Sequence, residues 1–572
     1  MQTLDDNQLR LLKAAILLLL FASQGLAQLK PSQGQISQQT DDIVRVTTEL
    51  VQAGVTVLDK EGELVNGLQR EQFELYIDGK PQPILFFESI FSGTKEERQI
   101  ESSAVDRAGG SARKPDVPGL DPGRTVFFFV DDLHLAPGSL WRTRQTLLSV
   151  INETMGRNDH WAVVSTSGQI GFLQQVTNNR AVMHAAVERL NPIPDKVRDG
   201  DRPPITEYAA LMINEQRDRD LFRYFVDQTM KVNRMEESER PIAAAMVQSR
   251  ARLIVKQSDA INRNVLLTLE SLIHSAARLA GRKVVFFLSD GFVLNLTGSD
   301  VTDTMRRLTD AAVRANVVIY SVEAKGLTVD SQFDASNGGG ADTTGVLSRA
   351  LTAEHSFTQE GLYALASDTG GHALLNSNAI EKGILEGLKQ TSVYYILAWK
   401  PSNAAQRDNK FHQIEVKVAG RPDLKVLVQR GYFSLPVKPV IKELQGFSSS
   451  IRSENQLPIK LNLTYERANG SRLPLTASMK IDRLALLRAL PAAPQNADVE
   501  LMGAVMDARG KPVGSFLRKV NVDLSNSDSD PTFKYLLRVL PGLYQVRVAA
   551  VDPKTKRMGE AAEWIEIPVS EP

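Results

Sequence analysis

No cysteine occurs anywhere in the 572 residues. That excludes disulfides, thiolate metal sites and cysteine nucleophiles, so any folded part is held by its hydrophobic cores alone. Nor is there an excess of charge of one sign. Lys plus Arg equals Asp plus Glu at 67 each, so no global field favours nucleic acid or an anionic membrane. Three catalytic signatures are missing as well: a Gly-x-Ser-x-Gly elbow, a His-Glu-x-x-His pair and a Gly-x-x-x-x-Gly-Lys phosphate loop. Long apolar runs are scarce. Ala14–Ala22 is the longest candidate, and it is short for a bilayer span.

The surroundings of that run give it a meaning. Arg10 and Lys13 precede it, and Gly25-Leu26-Ala27 puts small residues where a signal peptidase reads them. Asp5 and Asp6 count against a positive leader. The pattern predicts a cleaved signal at 1–27, a mature terminus near Gln28 and an exported protein, periplasmic, envelope-associated or secreted. No membrane span is expected after cleavage.

A chain this long exceeds one hydrophobic core and predicts several domains. Residues 28–42, rich in Gln and Ser, read as a flexible leader. Period-two alternation over 43–91 predicts a small β-module: Val55 and Val57 lead into Asp59-Lys60-Glu61-Gly62, and Phe73, Leu75 and Ile77 into Asp78-Gly79. A Gly-, Pro- and charge-rich linker, 92–124, follows.

From 125 to 391 strands alternate with helices. The unbroken runs Val126–Val130 and Val284–Leu288 predict strands covered on both faces, hence a mostly parallel sheet between helices, an α/β fold. Ala162–Val164, Ile170–Leu173 and Val317–Tyr320 are further expected strands, and Ile261–Ala276 an amphipathic helix ended by Gly281. Two insertions interrupt the domain, at 192–257 and 327–355. The first should hold helices over Tyr208–Met230 and Pro241–Val255, and the second contains Gly338-Gly339-Gly340. Strands return over 392–435 and are expected to pack with the N-terminal module, since neither flank alone makes a stable sandwich. After a linker at 436–456, about seven strands over 457–572 predict an immunoglobulin-like β-sandwich.

In an open parallel sheet, ligands bind beyond the carboxyl ends of the strands. Asp131 and Asp290 follow two of them, and Thr177 precedes the helix that begins near Asn178. Two carboxylates and a hydroxyl at one edge would form a hard, oxygen-rich site suited to Mg²⁺, Ca²⁺ or Mn²⁺. Asp132 and Ser289 are accessory candidates. The plainer reading is that Asp131 and Asp290 cap strands or bind loop amides. His160 and His184 are assigned no role. Asp368-Thr369-Gly370-Gly371 reads as a turn after a helix, its glycines supplying positive φ.

Leu288-Ser289-Asp290-Gly291 resembles the Leu-Thr-Asp-Gly signature of von Willebrand factor A domains, and Val130-Asp131 stands where their first metal aspartate lies. Gln175-Val176-Thr177 resembles their threonine loop. The order of Val55-x-Val57-x-Asp59, Asp131-Asp132-Leu133-His134, Leu365-Ala366-x-Asp368-Thr369-Gly370-Gly371, Tyr394-Tyr395 and Arg430-Gly431-Tyr432 is similar to the VWFA-related family abundant in Acidobacteria. The resemblance covers about 43–433 and implies a Rossmann-like domain that binds rather than catalyses, with a metal-dependent adhesion site. One departure matters. The family's Asp-x-Ser-x-Ser reads here Asp131-Asp132-Leu133-His134-Leu135, so two hydroxyl ligands are replaced by leucines without donor atoms. The leading expectation is a non-enzymatic scaffold holding a protein or other extracellular partner. The alternatives are a metal-dependent hydrolase using Asp131, Asp132, His134 and Asp290, and a metal-free structural protein of the envelope.

Overall fold

The computed structural model describes residues 51–91, 125–155, 159–193, 204–279, 283–293, 299–326, 345–391, 393–400, 411–433, 457–466, 471–487, 496–524, 530–554 and 557–568. The expected signal, the leader, both linkers and Gly338-Gly339-Gly340 lie outside them. The fold is mixed α/β, with one five-stranded parallel sheet and several antiparallel ones. Among the described residues no helix is long and apolar enough to cross a membrane. Two compact units are distinguished, one within Leu50–Ser450 and one within Ile451–Pro572.

The first unit opens with β1 (Val51–Leu58), β2 (Phe73–Ile77), β3 (Lys80–Gln82) and β4 (Phe86–Phe91). Asp78 and Gly79 both take positive φ between β2 and β3, as the tight turn of a two-residue hairpin requires.

The chain then builds the parallel sheet. Its strands are β5 (Thr125–Val130), β6 (His160–Ser165), β7 (Lys283–Ser289), β8 (Val317–Glu323) and β9 (Ala373–Leu374), in the order β6-β5-β7-β8-β9. Every residue of β5, β7 and β8 is buried, which is why these strands read as continuous apolar runs rather than alternations. The helices are α1 (Pro137–Thr154), α2 (Arg180–Glu188), α3 (Glu207–Asn214), α4 (Arg219–Asn233), α5 (Arg240–Ala276), α6 (Ser299–Arg314), α7 (Val346–Thr369) and α8 (Ile380–Gln390). Phe127, Phe129, Val285, Phe287 and Ile319 pack with Val265, Leu269, Leu272 and Leu362 in one core. A second core, from α3, α4, the first half of α5 and Ala350, lies within the insertion.

Four local expectations are corrected. Ile170–Leu173 forms no strand: Gly168 and Gly171 take positive φ, and Gly171–Leu173 closes as a 3₁₀ turn. The helix expected over Tyr208–Met230 is two, because Gln216 takes positive φ and Asp218 caps a fresh helix by accepting from Leu221 N at 2.8 Å. The two helices expected over Pro241–Val255 and Ile261–Ala276 are one, α5. Polar residues along the joined stretch are satisfied inside the protein: Ser258 Oγ donates to Glu207 at 2.6 Å and Asn262 Nδ2 to the Val293 carbonyl at 2.7 Å. The second insertion also ends earlier than expected, since α7 starts at Val346.

After α8 come β10 (Val393–Trp399), β11 (Phe411–Val418), β12 (Lys425–Leu427) and β13 (Gly431–Phe433). They pair with the opening strands in two antiparallel sheets, β12-β1-β10-β4 and β13-β11-β2-β3. Alternate residues face one shared core: Ala53, Val55 and Val57; Phe73, Leu75 and Ile77; Tyr395, Leu397 and Trp399; Ile414, Val416 and Val418. Tyr395 also pins the loop before β2. Its hydroxyl donates to the Val65 carbonyl at 2.8 Å and accepts from Leu68 N at 3.2 Å. Replacing Tyr395 with Phe strands both groups, and about 1–3 kcal/mol of stability should be lost. Hydrogen exchange at the Leu68 amide is the direct readout, and unchanged protection there would contradict the assignment.

The second unit contains β14 (Ile459–Tyr465), β15 (Leu473–Ile481), α9 (Arg483–Leu487), β16 (Asn496–Asp507), β17 (Pro512–Asp523), β18 (Thr532–Val539), β19 (Gly542–Val551) and β20 (Met558–Ile567). They form sheets ordered β14-β15-β18 and β17-β16-β19-β20, both contributing to one core. The β16–β17 turn repeats the chemistry of the Asp59 turn. Asp507 Oδ1 accepts from Arg509 N and Lys511 N at 2.9 Å, as Asp59 Oδ1 accepts from Glu63 N at 2.7 Å.

Candidate functional site

The chain leaves β5, returns on one side as β6, and reaches β7 on the other side only after α2 to α5. The carboxyl ends of β5 and β7 therefore border the point where strand order switches, the place where open α/β sheets present ligands. Asp131 follows β5 directly and Asp290 follows β7.

Asp131 is fully buried. Its Oδ2 accepts from Ser289 Oγ at 2.8 Å and lies 2.7 Å from His134 Nδ1. Its backbone carbonyl accepts from the amides of His134 and Leu135, both at 3.0 Å, folding the loop into a tight turn. Ser289 in turn accepts from Gly291 N at 3.1 Å. Gly291 takes φ +90, and a Cβ there would stand 2.7 Å from the Thr358 carbonyl of α7, so the turn after Asp290 admits only glycine.

Asp290 reaches the opposite side of the same loop. Its Oδ2 accepts from Ala136 N at 2.8 Å, at the start of α1, where a carboxylate also meets the positive end of the helix. Burial pushes the Asp290 carboxyl above the usual range, against the opposing pull of Ala136 N, Ser139, Lys325 and Arg142. A carboxyl raised in the folded state costs stability once it ionises. The cost is absent below the unfolded pKa and complete above the folded one. Asp290→Asn, measured in cation-free buffer, should therefore melt above the wild type at neutral pH. The gap should close as pH falls towards the unfolded carboxyl range, and a variant less stable than wild type at pH 7 would contradict it.

The other expected residues sit differently. Thr177 is at the far edge of the sheet. It exchanges backbone hydrogen bonds of 2.8 Å with Trp161, which is in register with Val126. Asp131 lies five residues further along that register, roughly 16 Å at 3.3 Å per residue. The reason is the 3₁₀ turn at Gly171–Leu173, which sends 174–177 back along β6. Thr177 Oγ1 accepts from Asn179 N at 3.0 Å and serves the turn before α2. Asp132 is also occupied: Oδ1 accepts from Ser167 N at 2.9 Å, while Oδ2 accepts from Ser167 Oγ and, at 2.5 Å, from Gln169 Nε2. Its work is to hold the 167–169 turn.

Beside Asp290 opens a cleft of about 700 Å³. Leu133, Leu135, Ile261, Phe292 and Val293 give it apolar walls; Glu207, Lys325, Glu354 and His355 add charge and polarity. Thr206 and Glu207 come from the insertion and Glu354 and His355 from α7, so no local signal marks them. Glu323 was legible by the edge rule: it ends β8 in register with Ser289, is buried, and accepts from Gln359 Nε2 and from Asn376 N at 2.7 Å.

Whether these residues suit a cation can be tested on their own bonds. Asp131 Oδ1 and Asp290 Oδ1 are buried and accept no hydrogen bond among the described residues, which is costly for a carboxylate unless an ion or water completes it. Among the described residues no group of three or more His, Asp or Glu side chains is placed to hold a metal. Two carboxylates are too few to cage a Ca²⁺ ion, whereas Mg²⁺ is commonly held by one or two carboxylates and keeps its remaining waters.

No protein-family model matches the chain, and no curated protein matches it. Among solved structures it is similar to a calcium-binding mutant of β-glucuronidase 2 from Bacteroides uniformis, at 17% identity and TM-score 0.15 over 19% of this chain and 13% of that one. It is also similar to a glycosyl hydrolase family 2 member from Bacteroides cellulosilyticus, at 12% identity and TM-score 0.17 over 31% of this chain and 20% of that one. The chain thus spans a fifth or less of those proteins, and scores this low carry no argument about fold or activity.

Proposed function

We propose that the chain is an exported, non-enzymatic binding protein whose parallel-sheet domain is of the von Willebrand factor A type and holds a protein partner at its carboxyl edge. One observation carries this reading: Asp131 and Asp290 flank the switch point, each with a buried carboxylate oxygen that accepts no hydrogen bond among the described residues, beside an open cleft. A Mg²⁺ or Mn²⁺ held there by the two carboxylates would supply positive charge for an acidic group of the partner. The protein's own part is to fix those carboxylates through Ser289, His134 and the Ala136 amide, and to wall the cleft beside them with Leu133, Leu135 and Phe292. The second unit, with seven strands among its described residues in two sheets sharing one core, is assigned as an immunoglobulin-like module. The hydrolytic alternative, which would use Asp131, Asp132, His134 and Asp290, is less favoured because Asp132 accepts from Ser167 and Gln169.

Calorimetric titration of the full chain with Mg²⁺, Mn²⁺ and Ca²⁺ tests the site. Saturable heat with Mg²⁺ or Mn²⁺, absent in Asp131→Asn, is the expected result. Equal heats from both proteins would remove the cation from the account and leave the cleft as a metal-free docking site.

A further inference from the structure

The insertion places on the surface a helix face that the parallel sheet does not use. α5 runs 37 residues, about 55 Å, and buries Ala243, Val247, Ala251 and Ile254 against the insertion core and Val265, Leu269 and Leu272 against the sheet. Its outward side is not the polar surface such a helix normally presents. Ile242, Met246, Leu253 and Leu267 are 56%, 39%, 55% and 43% exposed. Met246, Leu253, Ala260 and Leu267 recur every seventh residue, and Ile242, Ser249, Lys256 and Arg263 form the adjoining column, all of them exposed. At 100° per residue the four large apolar side chains fall within about 60° of arc, the narrow seam of a helix pair rather than a broad apolar face.

Charge selects the partner. Arg252, Lys256 and Arg263 are exposed along this seam, whereas the two acidic residues within α5, Asp259 and Glu270, are half-buried and buried. A second copy would bring Lys256 and Arg252 against like charges, which disfavours self-pairing. An anionic bilayer is a poorer match than a helix. The stripe is narrow, and Ser249 and Lys256 interrupt it.

We propose that the outer face of α5 is a docking seam for an acidic amphipathic helix of another protein, whose apolar residues meet Met246 and Leu253 and whose carboxylates meet Arg252 and Lys256. The site is separate from the carboxyl-edge cleft and does not depend on its reading.

The test uses the full chain and a fluorescent synthetic helix of about three heptads, with leucine at the seam positions and glutamate beside them. Control probes are the same helix with lysine for glutamate, and vesicles containing phosphatidylserine. The acidic helix should bind and the basic one should not. Leu253→Ala should weaken binding about tenfold, and the pair Arg252→Glu with Lys256→Glu should switch preference to the basic helix. These positions are exposed, so circular dichroism should stay unchanged. Equal binding of both helices, binding of neither, capture by vesicles alone, or self-association abolished by Leu253→Ala would each overturn the proposal.

Discussion

Gly371→Ala is expected to destabilise the first unit by about 3 kcal/mol or more, far beyond the usual effect of adding a methyl group. The turn after α7 passes so close to β8 that a Cβ at Gly371 would stand 2.0 Å from the Ile319 carbonyl oxygen and 2.8 Å from its carbon. Both are backbone atoms inside a paired strand, so neither side can swing away. The bonds that hold the turn there would have to stretch: Thr369 Oγ1 accepts from Ile319 N at 3.0 Å, and Gly371 N donates to the Ala366 carbonyl at 3.0 Å. Beyond the turn, Ala373 and Leu374 pair with Ser321 and Val322, and withdrawal of the chain would remove that edge strand from the sheet. Gly420 supplies the control. It takes φ +71 with nothing within 4 Å of a built Cβ, so Gly420→Ala should cost only the conformational penalty, about 1 kcal/mol. Urea denaturation of both variants decides the matter, and equal losses would refute the close-approach argument.

That pair of glycines marks where the sequence is legible and where it is not. Thr369-Gly370-Gly371 announces a helix end, and Gly370 has the expected positive φ, +83. Gly371 does not: its need for hydrogen in place of a side chain comes from β8, some fifty residues earlier, and no local pattern carries it. The same division runs through the site. Asp131 and Asp290 are legible because a polar residue at the end of a buried strand is a local signal. Thr177 is not legible in the same way, because the short apolar run Ile170–Leu173 reads as a strand and closes as a turn instead. A 3₁₀ turn there reverses the chain, and reversal exchanges one edge of the sheet for the other. Apolar periodicity alone separates Pro241–Val255 from Ile261–Ala276, whereas the partners that keep Ser258 and Asn262 inside one helix, Glu207 and the Val293 carbonyl, belong to distant segments. The cleft's Glu207, Glu354 and His355 converge only through the two segments read from sequence as insertions; the pattern predicts helices in the first but not what they face, and it does not predict the start of α7 in the second.

The second large effect concerns Asp131, and the choice of replacement separates a structural role from a ligand role. Asp131→Ala should cost about 3 kcal/mol, because it takes the shared acceptor from Ser289 Oγ and His134 Nδ1 at a position with no exposure. Asp131→Asn keeps one carbonyl oxygen in place and should recover most of that loss, provided the oxygen occupies the Oδ2 position. The two variants should nonetheless agree in one respect. A cation at about 100 times its dissociation constant adds roughly 2.7 kcal/mol to a protein that binds it only when folded, so Mg²⁺ or Mn²⁺ should raise the melting temperature of the wild type and of neither variant. A carbonyl oxygen can complete the hydrogen bonds of the loop but brings no negative charge to the ion. If Asp131→Asn were as stable as wild type and responded equally to Mg²⁺, the carboxylate would be a loop acceptor. The buried oxygen of Asp290 would then be the remaining candidate for the charge that a partner meets.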